Sequence, residues 1–377
     1  MQIVIFINSL SSGGAERVTA NLANEWVMRG WDVTVLSLAH ESLDFYKLHS
    51  KVQRIALNLA NDSGNPVAAI YANVERVLAI RRTLKRIKPD IVFGVMSRSS
   101  VLAILASMRL GIPVIGTEHI YPPMNPENLF WDRMRKWTYP YAARVVMLTS
   151  EGLSWLDEKI PHARGAVIPN PVSFPLVASE PYLIPEKWVA PERRLLLAVG
   201  RLSEQKGFDY LLKAFSGLVA IYQDWDLVIL GEGPLRESLE SQIQTYGLEK
   251  RVYLPGRAGN VGDWYQRADL FVMSSRYEGF PMTLVEAMAY GCAVVSYDCD
   301  TGPRDIIREG VDGLLVGPVG DVSALASVLD QLMRDDGARE RMGQMAIEIK
   351  TRYSLESILT MWNNLFADIL TINTVDR

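Results

Sequence analysis

Apolar runs of strand length, each followed by a helix-length amphipathic stretch, repeat from one end of this 377-residue chain to the other. A parallel sheet covered by helices on both faces requires that alternation, because its strands are buried on both sides and read as unbroken apolar runs. The pattern predicts an α/β chain. Strand candidates in the first half are Gln2 to Asn8, Asp32 to Leu38, Asp90 to Val95, Val114 to Glu118 and Arg144 to Thr149. A second series comprises Leu195 to Gly200, Asp226 to Gly231, Arg251 to Pro255, Asp269 to Met273, Ala293 to Asp298 and Gly313 to Val316. Between the two series lie Pro169, Pro171, Pro175, Pro181, Pro185 and Pro191 with no helical period, the composition of an extended connector. At roughly 150 residues per domain the length gives two or three domains. The expectation is two doubly wound domains, residues 1–172 and 192–354, joined by residues 173–191. The amphipathic segment 355–370 has no strand after it and is expected to cap one of them, the first being a candidate. Ligands of open parallel sheets bind beyond the carboxyl ends of the strands, so the expected site is the cleft between the two sheets.

Composition narrows the function. Hydrophobic residues make up 49% and charged ones 22%, enough apolar material for two ordinary cores and too much for a disordered scaffold. The formal net charge of −4 leaves no basic excess for holding nucleic acid nonspecifically. Cys292 and Cys299 are too few for a disulfide framework or a thiolate zinc site, which fits a reducing cytoplasm. The first residues, Met1 to Asn8, read as a buried strand and not as a signal peptide. Nothing approaches about 18 uninterrupted apolar residues, so no membrane span is expected.

Chemistry concentrates in two loops of the second half. Ser275-Arg276-Tyr277-Glu278-Gly279-Phe280-Pro281-Met282-Thr283-Leu284-Val285-Glu286 follows a strand and opens a helix near Met282. Gly279 and Pro281 keep Glu278 off that helix, in a loop whose backbone can approach a ligand closely. A loop carboxylate can accept hydrogen bonds from sugar hydroxyls, a carboxylate one turn inside the helix can accept two from a ribose, and the unpaired amides between them suit phosphate. Gly200-Arg201-Leu202-Ser203-Glu204-Gln205-Lys206-Gly207 likewise follows a strand and precedes a helix, which places Arg201 and Lys206 on a strand-to-helix loop. Fixed cations there can stabilise the negative charge that develops as a nucleoside diphosphate departs from a sugar.

Glu-Gly-Phe-Pro…Glu-Ala-Met-Ala-x-Gly together with Gly-Arg-Leu…Lys-Gly resembles the signature of retaining GT-B glycosyltransferases of family 4, and the likeness extends over essentially the whole chain. It implies two Rossmann-like domains facing across a cleft, an N-terminal one for the acceptor and a C-terminal one for a nucleotide-sugar. It implies Glu278 on the donor sugar, Glu286 on the ribose, Arg201 and Lys206 on the diphosphate, and the stretch Gly279, Phe280, Pro281, Met282, Thr283, Leu284 around the donor. Tyr253 and Leu254 lie where relatives hold the nucleobase, largely with backbone atoms. Neither a cofactor nor a metal is implied.

In the first half, Ser9-Leu10-Ser11-Ser12-Gly13-Gly14-Ala15-Glu16-Arg17 follows the first strand. It matches neither a dinucleotide fingerprint nor a Walker loop, which removes support for a nicotinamide enzyme. Gly13 and Gly14 still let a backbone turn come close to a phosphate or an acceptor hydroxyl, and similar enzymes carry such a loop there. Gly116-Thr117-Glu118-His119 ends another strand and points His119 toward the expected site, where the resemblance implies contact with the transferred sugar. Asp298-Cys299-Asp300 contains an Asp-x-Asp, read as capping the helix that follows and not as a metal site.

Residues 71–88 hold Arg76, Arg81, Arg82, Lys85, Arg86 and Lys88 against the single acid Glu75. At 100° per residue Val77, Ile80, Leu84 and Ile87 gather on one side and the cations on a neighbouring arc. Arg81, Arg82, Lys85, Arg86 and Lys88 therefore form a candidate surface for the diphosphate of a lipid-linked acceptor or for an anionic membrane. Trp131, Trp137, Tyr139 and Tyr141, interleaved with Arg133, Arg135 and Lys136, form a second candidate interfacial patch. The expected activity is transfer, with retention, of a hexose or N-acetylhexosamine from a donor, UDP-linked in preference to GDP-mannose, to a polyprenyl-diphosphate-linked glycan at the inner face of the cytoplasmic membrane. A sugar-nucleotide epimerase or hydrolase and a non-catalytic nucleotide-sugar-binding protein are the alternatives.

Overall fold

The computed structural model describes residues 1–11, 13–60, 65–124 and 126–375, and the chain divides into two units, Met1–Asn170 with Leu359–Arg377, and Pro171–Ile358. Each is a wholly parallel sheet covered by helices, as the apolar runs demand.

In unit 1 the strands are β1 (Gln2–Ile7), β2 (Asp32–Ser37), β3 (Gln53–Ala56), β4 (Ile91–Val95), β5 (Val114–Glu118), β6 (Arg144–Met147) and β7 (Gly165–Val167), ordered β3-β2-β1-β4-β5-β6-β7. The helices are α1 (Gly14–Met28), α2 (Pro66–Ile87), α3 (Ser97–Ser107), α4 (Leu129–Thr138) and α5 (Ser150–Lys159). Gly94 of β4 and Gly116 of β5 let α3 lie close on the sheet: a Cβ at Gly94 would stand 2.7 Å from the Ser100 Cα. Ser100 uses that proximity, donating to the Gly94 carbonyl at 3.0 Å and accepting from the Thr117 amide at 3.1 Å.

In unit 2, β8 (Arg194–Val199), β9 (Trp225–Leu230), β10 (Val252–Gly256), β11 (Leu270–Met273), β12 (Val294–Tyr297) and β13 (Gly313–Val316) are ordered β10-β9-β8-β11-β12-β13. Its helices are α6 (Phe208–Ser216), α7 (Arg236–Thr245), α8 (Val261–Arg267), α9 (Met282–Ala289), α10 (Pro303–Ile306), α11 (Val322–Arg334), α12 (Asp336–Ala346) and α13 (Ile349–Arg352). Both sheets reverse strand order at one point, between β1 and β4 and between β8 and β11, and the loops after those strands are where such folds bind ligands.

The proline-rich stretch differs from a connector in being bonded to unit 2. Ser179 donates its amide to the Gly259 carbonyl at 3.0 Å, and Asn260 accepts from the Leu183 amide and donates to its carbonyl, both at 2.8 Å. Proline keeps the chain extended, and the intervening backbone finds partners on the loop before α8, the backbone of Gly259 and the side-chain amide of Asn260. The last helix, α14 (Leu355–Val375), joins unit 1 from Leu359 onward. There Trp362 and Phe366 pack with Trp26 and Phe93, ring centroids 5.0 to 6.3 Å apart.

Candidate functional site

The loops after β8 and β11 are laced together. Gly207 closes the first with φ +59°, and a Cβ on it would meet the Ser274 carbonyl oxygen at 2.1 Å, so only glycine lets the two loops touch. Ser274 Oγ donates to the Lys206 carbonyl at 2.9 Å, Arg276 donates its amide to the Gln205 carbonyl at 2.7 Å, and its guanidinium pairs with Asp209 at 2.7 Å over the face of Tyr210. This lacing sets Lys206 Nζ 2.6 Å from Glu278 Oε1. Ser275 Oγ donates to the same oxygen at 2.6 Å, and Thr301 Oγ1 donates to the Glu278 carbonyl. Glu278 is only 6% exposed. Paired this way, its buried charge is compensated.

The geometry gathers Lys206, Glu278 and the start of α9 in one place. No side chain caps α9 at Pro281, so the first-turn amides of Met282 and Thr283 stay available to a ligand. Phe280 is turned inward against Tyr353, at 5.2 Å between rings, so the loop offers its backbone and not that side chain. Pro281 and Leu284 are buried as well, and Gly279 is half-buried. Glu286 is buried one turn into α9, where Tyr265 Oη donates to it at 3.2 Å. Arg201 is exposed and, among the described residues, has no side-chain hydrogen bond or ion pair. Gly231, φ +146°, and Gly233 bring the loop after β9 against Gly200 and Leu202, holding the arginine loop from beneath. Tyr253 points its hydroxyl at the Lys250 carbonyl, 2.9 Å, and the Leu254 carbonyl already accepts from Arg236 at 3.3 Å. Asp298 pairs with Arg304 of the helix that follows it, at 2.7 Å.

Unit 1 carries a cavity of about 680 Å³ at the carboxyl ends of its strands, lined by Ser9, Glu16, Arg76, Arg98, Glu118 and His119 among others. His119 sits just past β5. Thr117 Oγ1 donates to the Gly94 carbonyl, so it accepts from His119 Nε2 at 3.1 Å, which assigns the ring proton to Nε2 and leaves Nδ1 a buried acceptor without a partner among the described residues. Burial pulls the imidazole pKa down to about 4, so the ring is neutral at physiological pH. Gly13 is the extended N-cap of α1, and nothing stands within 4 Å of a Cβ at Gly14. Ser12 of the same loop lies outside the described residues. The Glu16 carboxylate folds back toward Gly13, so negative charge already sits at this helix end, which suits a neutral hydroxyl better than a phosphate.

Two sequence-derived surfaces are corrected. Trp131, Tyr139 and Arg135 are buried and drop out of the expected interfacial patch, whereas Trp137 and Tyr141, with rings 6.2 Å apart, stay exposed beside exposed Arg133 and Lys136. Tyr139 donates its hydroxyl to Glu118 Oε1, and Arg135 lies 3.8 Å from the same oxygen and 2.7 Å from Asp132. Burial raises the Glu118 pKa against the opposing pull of Arg135. The polar ends of Tyr139 and Arg135 serve Glu118, and among the described residues hydrophobicity on α4 is left exposed at Leu129, Phe130, Trp137 and, just beyond it, Tyr141. On α2, Arg81 turns inward and donates to the Ala106 and Met108 carbonyls at 2.9 and 2.7 Å, while Arg82, Lys85, Arg86 and Lys88 are exposed. Arg81 thereby satisfies orphan carbonyls at the end of α3, a role that a charge count cannot anticipate.

Sequence reasoning passed over Ser275, Thr301 and the Arg276–Asp209 pair, which hold Glu278 and its loop. It also passed over Ser100, for which Gly94 and Gly116 were the available signal.

Two family models match the chain: Glycosyltransferase Family 4 over residues 12–174 and Glycosyl transferases group 1 over residues 183–349. Among curated relatives, the GalNAc-alpha-(1->4)-GalNAc-alpha-(1->3)-diNAcBac-PP-undecaprenol alpha-1,4-N-acetyl-D-galactosaminyltransferase of Campylobacter jejuni is 27% identical, covering 98% of this chain and 99% of its own. Among solved structures, sucrose-phosphate synthase from Thermosynechococcus elongatus superposes with a TM-score of 0.83 at 18% identity, over 98% of this chain and 99% of that one. Anabaena HepE in complex with UDP gives 0.80 at 19%, over 98% and 100%. The two models between them take in nearly all of both sheets, and the full-length superpositions give the same two-sheet architecture. The chain belongs to the GT-B glycosyltransferases of family 4.

Proposed function

We propose that this enzyme moves a hexosyl or N-acetylhexosaminyl group from a UDP-linked donor, with retention and without a metal, to a hydroxyl of a polyprenyl-diphosphate-linked glycan in bacterial surface polysaccharide synthesis. The observation that carries the reading is the ion pair between half-buried Lys206 and buried Glu278 on the loops after β8 and β11. Lys206 and Arg201 are the groups assigned to the leaving diphosphate, where fixed cations lower the barrier most as charge develops on the departing oxygen. In unliganded protein Lys206 is neutralised by Glu278; an arriving diphosphate competes for the ammonium and frees the carboxylate for donor-sugar hydroxyls. The first-turn amides of α9 take further phosphate oxygens, and Glu286 takes the ribose. His119 offers a neutral acceptor to a sugar hydroxyl. Glu278 positions and supports charge and is not assigned as a nucleophile; the acceptor hydroxyl loses its proton toward the departing phosphate on the same face.

The UDP assignment is supported by the nucleotide in the HepE complex, and the lipid-linked acceptor by the name of the Campylobacter relative. Membrane association at the inner leaflet is supported by α2, whose exposed arc carries Val67, Ile70, Tyr71, Val74 and Leu78 over its first turns and Arg82, Lys85 and Lys88 over its last. An apolar stripe leading into cations is the surface that inserts among lipids and pairs with their headgroups. The test is a panel of UDP- and GDP-sugars incubated with chelator-treated enzyme and polyprenyl-diphosphate glycans, with mass analysis of products and NMR of the new anomeric centre. An α-linked product from an α-UDP-sugar supports the reading. Donor turnover without acceptor, a GDP-mannose preference, inversion or a metal requirement each overturns the corresponding part.

A further inference from the structure

At the amino-terminal ends of β4 and β5, the opposite end of the unit 1 sheet from His119, lies a second cavity of about 600 Å³. Apolar residues give the larger part of its lining: Leu84 in the last turns of α2, Leu110 and Ile112 in the turn before β5, and Leu370 of α14. Lys85 and Lys88 stand at its mouth, both exposed. Among the described residues neither ammonium has an ion-pair partner. Asp90, the acid in the lining, already accepts from the Gln2 amide at 2.7 Å.

The walls are braced. Arg81 ties α2 to the end of α3 immediately before the turn, Leu110 donates its amide to the Ser107 carbonyl at 2.9 Å, and Arg109 and Gly111 hold left-handed backbone at φ +59° and +70°. The cavity therefore stays open without a ligand, and its volume is that of an ordinary small-molecule site. A soluble anion would use the lysines and waste the walls. A neutral chain would use the walls and leave the two exposed ammonium groups at the mouth without an anion. A molecule with an apolar tail beneath an anionic head satisfies both.

We propose that this cavity binds a single anionic phospholipid, one acyl chain between α2 and the turn before β5 and the phosphate on Lys85 and Lys88. The proposal rests on the membrane reading of α2 and deepens it: adsorption by an exposed stripe needs a bilayer, whereas a discrete lipid site does not.

Titration of the full chain with dioctanoyl phosphatidylglycerol below its micellar concentration, followed by native mass spectrometry and calorimetry, tests the site. The expected result is 1:1 binding at least tenfold tighter than that of dioctanoyl phosphatidylcholine. Lys85→Glu combined with Lys88→Glu abolishes the preference, and Ile112→Trp, which fills the cavity, weakens both lipids. Val74→Asp, on the exposed stripe, weakens adsorption to phosphatidylglycerol vesicles but leaves 1:1 binding unchanged, so failure of the vesicle assay and failure of the lipid site are read separately. Equal affinity for the two lipids, a stoichiometry above one, or indifference to both the charge-reversed and the filled variants overturns the proposal. So does competition by inorganic phosphate at the same concentration as lipid, or binding that appears only after residues 372–377 are removed.

Discussion

Lys206 and Glu278 illustrate how much one ion pair settles. The carboxylate of Glu278 is buried and tolerable because the half-buried ammonium of Lys206 compensates it, so removing the lysine leaves an uncompensated buried charge. Lys206→Ala or Arg201→Ala is expected to reduce turnover by roughly 10²-fold or more, the usual cost of deleting a preorganised charge-stabilising group. Single-turnover release of UDP measures it, and near-normal rates in either variant take that residue out of the reaction. His119 gives a prediction of a different kind. Its folded-state pKa is about 4, below the ordinary value of 6.5, so between those two pH values the unfolded chain binds more protons than the folded one. Stability supplied by keeping this ring neutral is present above about pH 6.5 and falls away as pH drops toward 4. Urea unfolding of wild type and His119→Gln at pH 7 and pH 4.5 should show the smaller acid loss in the variant. The raised pKa of neighbouring Glu118 is common to both proteins and largely cancels in the difference. Equal acid losses would mean that the ring is solvated.

Among the elements, long strands were legible from their apolar runs, and every strand named from the sequence is present within a residue or two. The missed ones, β3 and β7, are edge strands with no fully buried residue, Gln53–Ala56 and Gly165–Val167, so they carry no long apolar run. The site loops were legible because glycine, proline and charge recur there at fixed spacing. Their supports were not: Thr301 becomes a partner of Glu278 only when β11 and β12 lie side by side, and Ser275, three residues before Glu278, turns its hydroxyl to that carboxylate only in the folded loop. Composition was half right at α4: Trp137, Tyr141, Arg133 and Lys136 are exposed, but Tyr139 and Arg135 are consumed by the carboxylate of Glu118, a partner distant in sequence. Helix α2 divides the same way. Arg81→Ala should cost about 1–3 kcal/mol by stranding two carbonyls at the end of α3, seen in urea unfolding, with no loss of vesicle binding beyond that of one charge. Leu78→Asp should do the reverse, leaving stability nearly unchanged and weakening adsorption to anionic vesicles about tenfold or more. An inverse outcome would exchange the two roles.

At the scale of the whole molecule, unit 1 is assembled from two separated parts of the chain. Trp362 and Phe366 reach the Trp26 and Phe93 rings only through α14. Trp362→Ala or Phe366→Ala is therefore expected to cost about 3–5 kcal/mol in unit 1 while sparing the core of unit 2. Hydrogen exchange resolved by peptide would show protection lost in β1, β4 and α1 but retained in β8, β9 and β11. Uniform loss across both sheets would count against separate cores.

That closure has a price in time. A ribosome emits the first sheet long before the segment that seals it, and the face around Trp26 stays bare while nearly 190 further residues are made. The nascent amino-terminal half is a natural client for holding chaperones, and premature stop codons anywhere upstream of Leu359 yield a product whose opening domain was never finished.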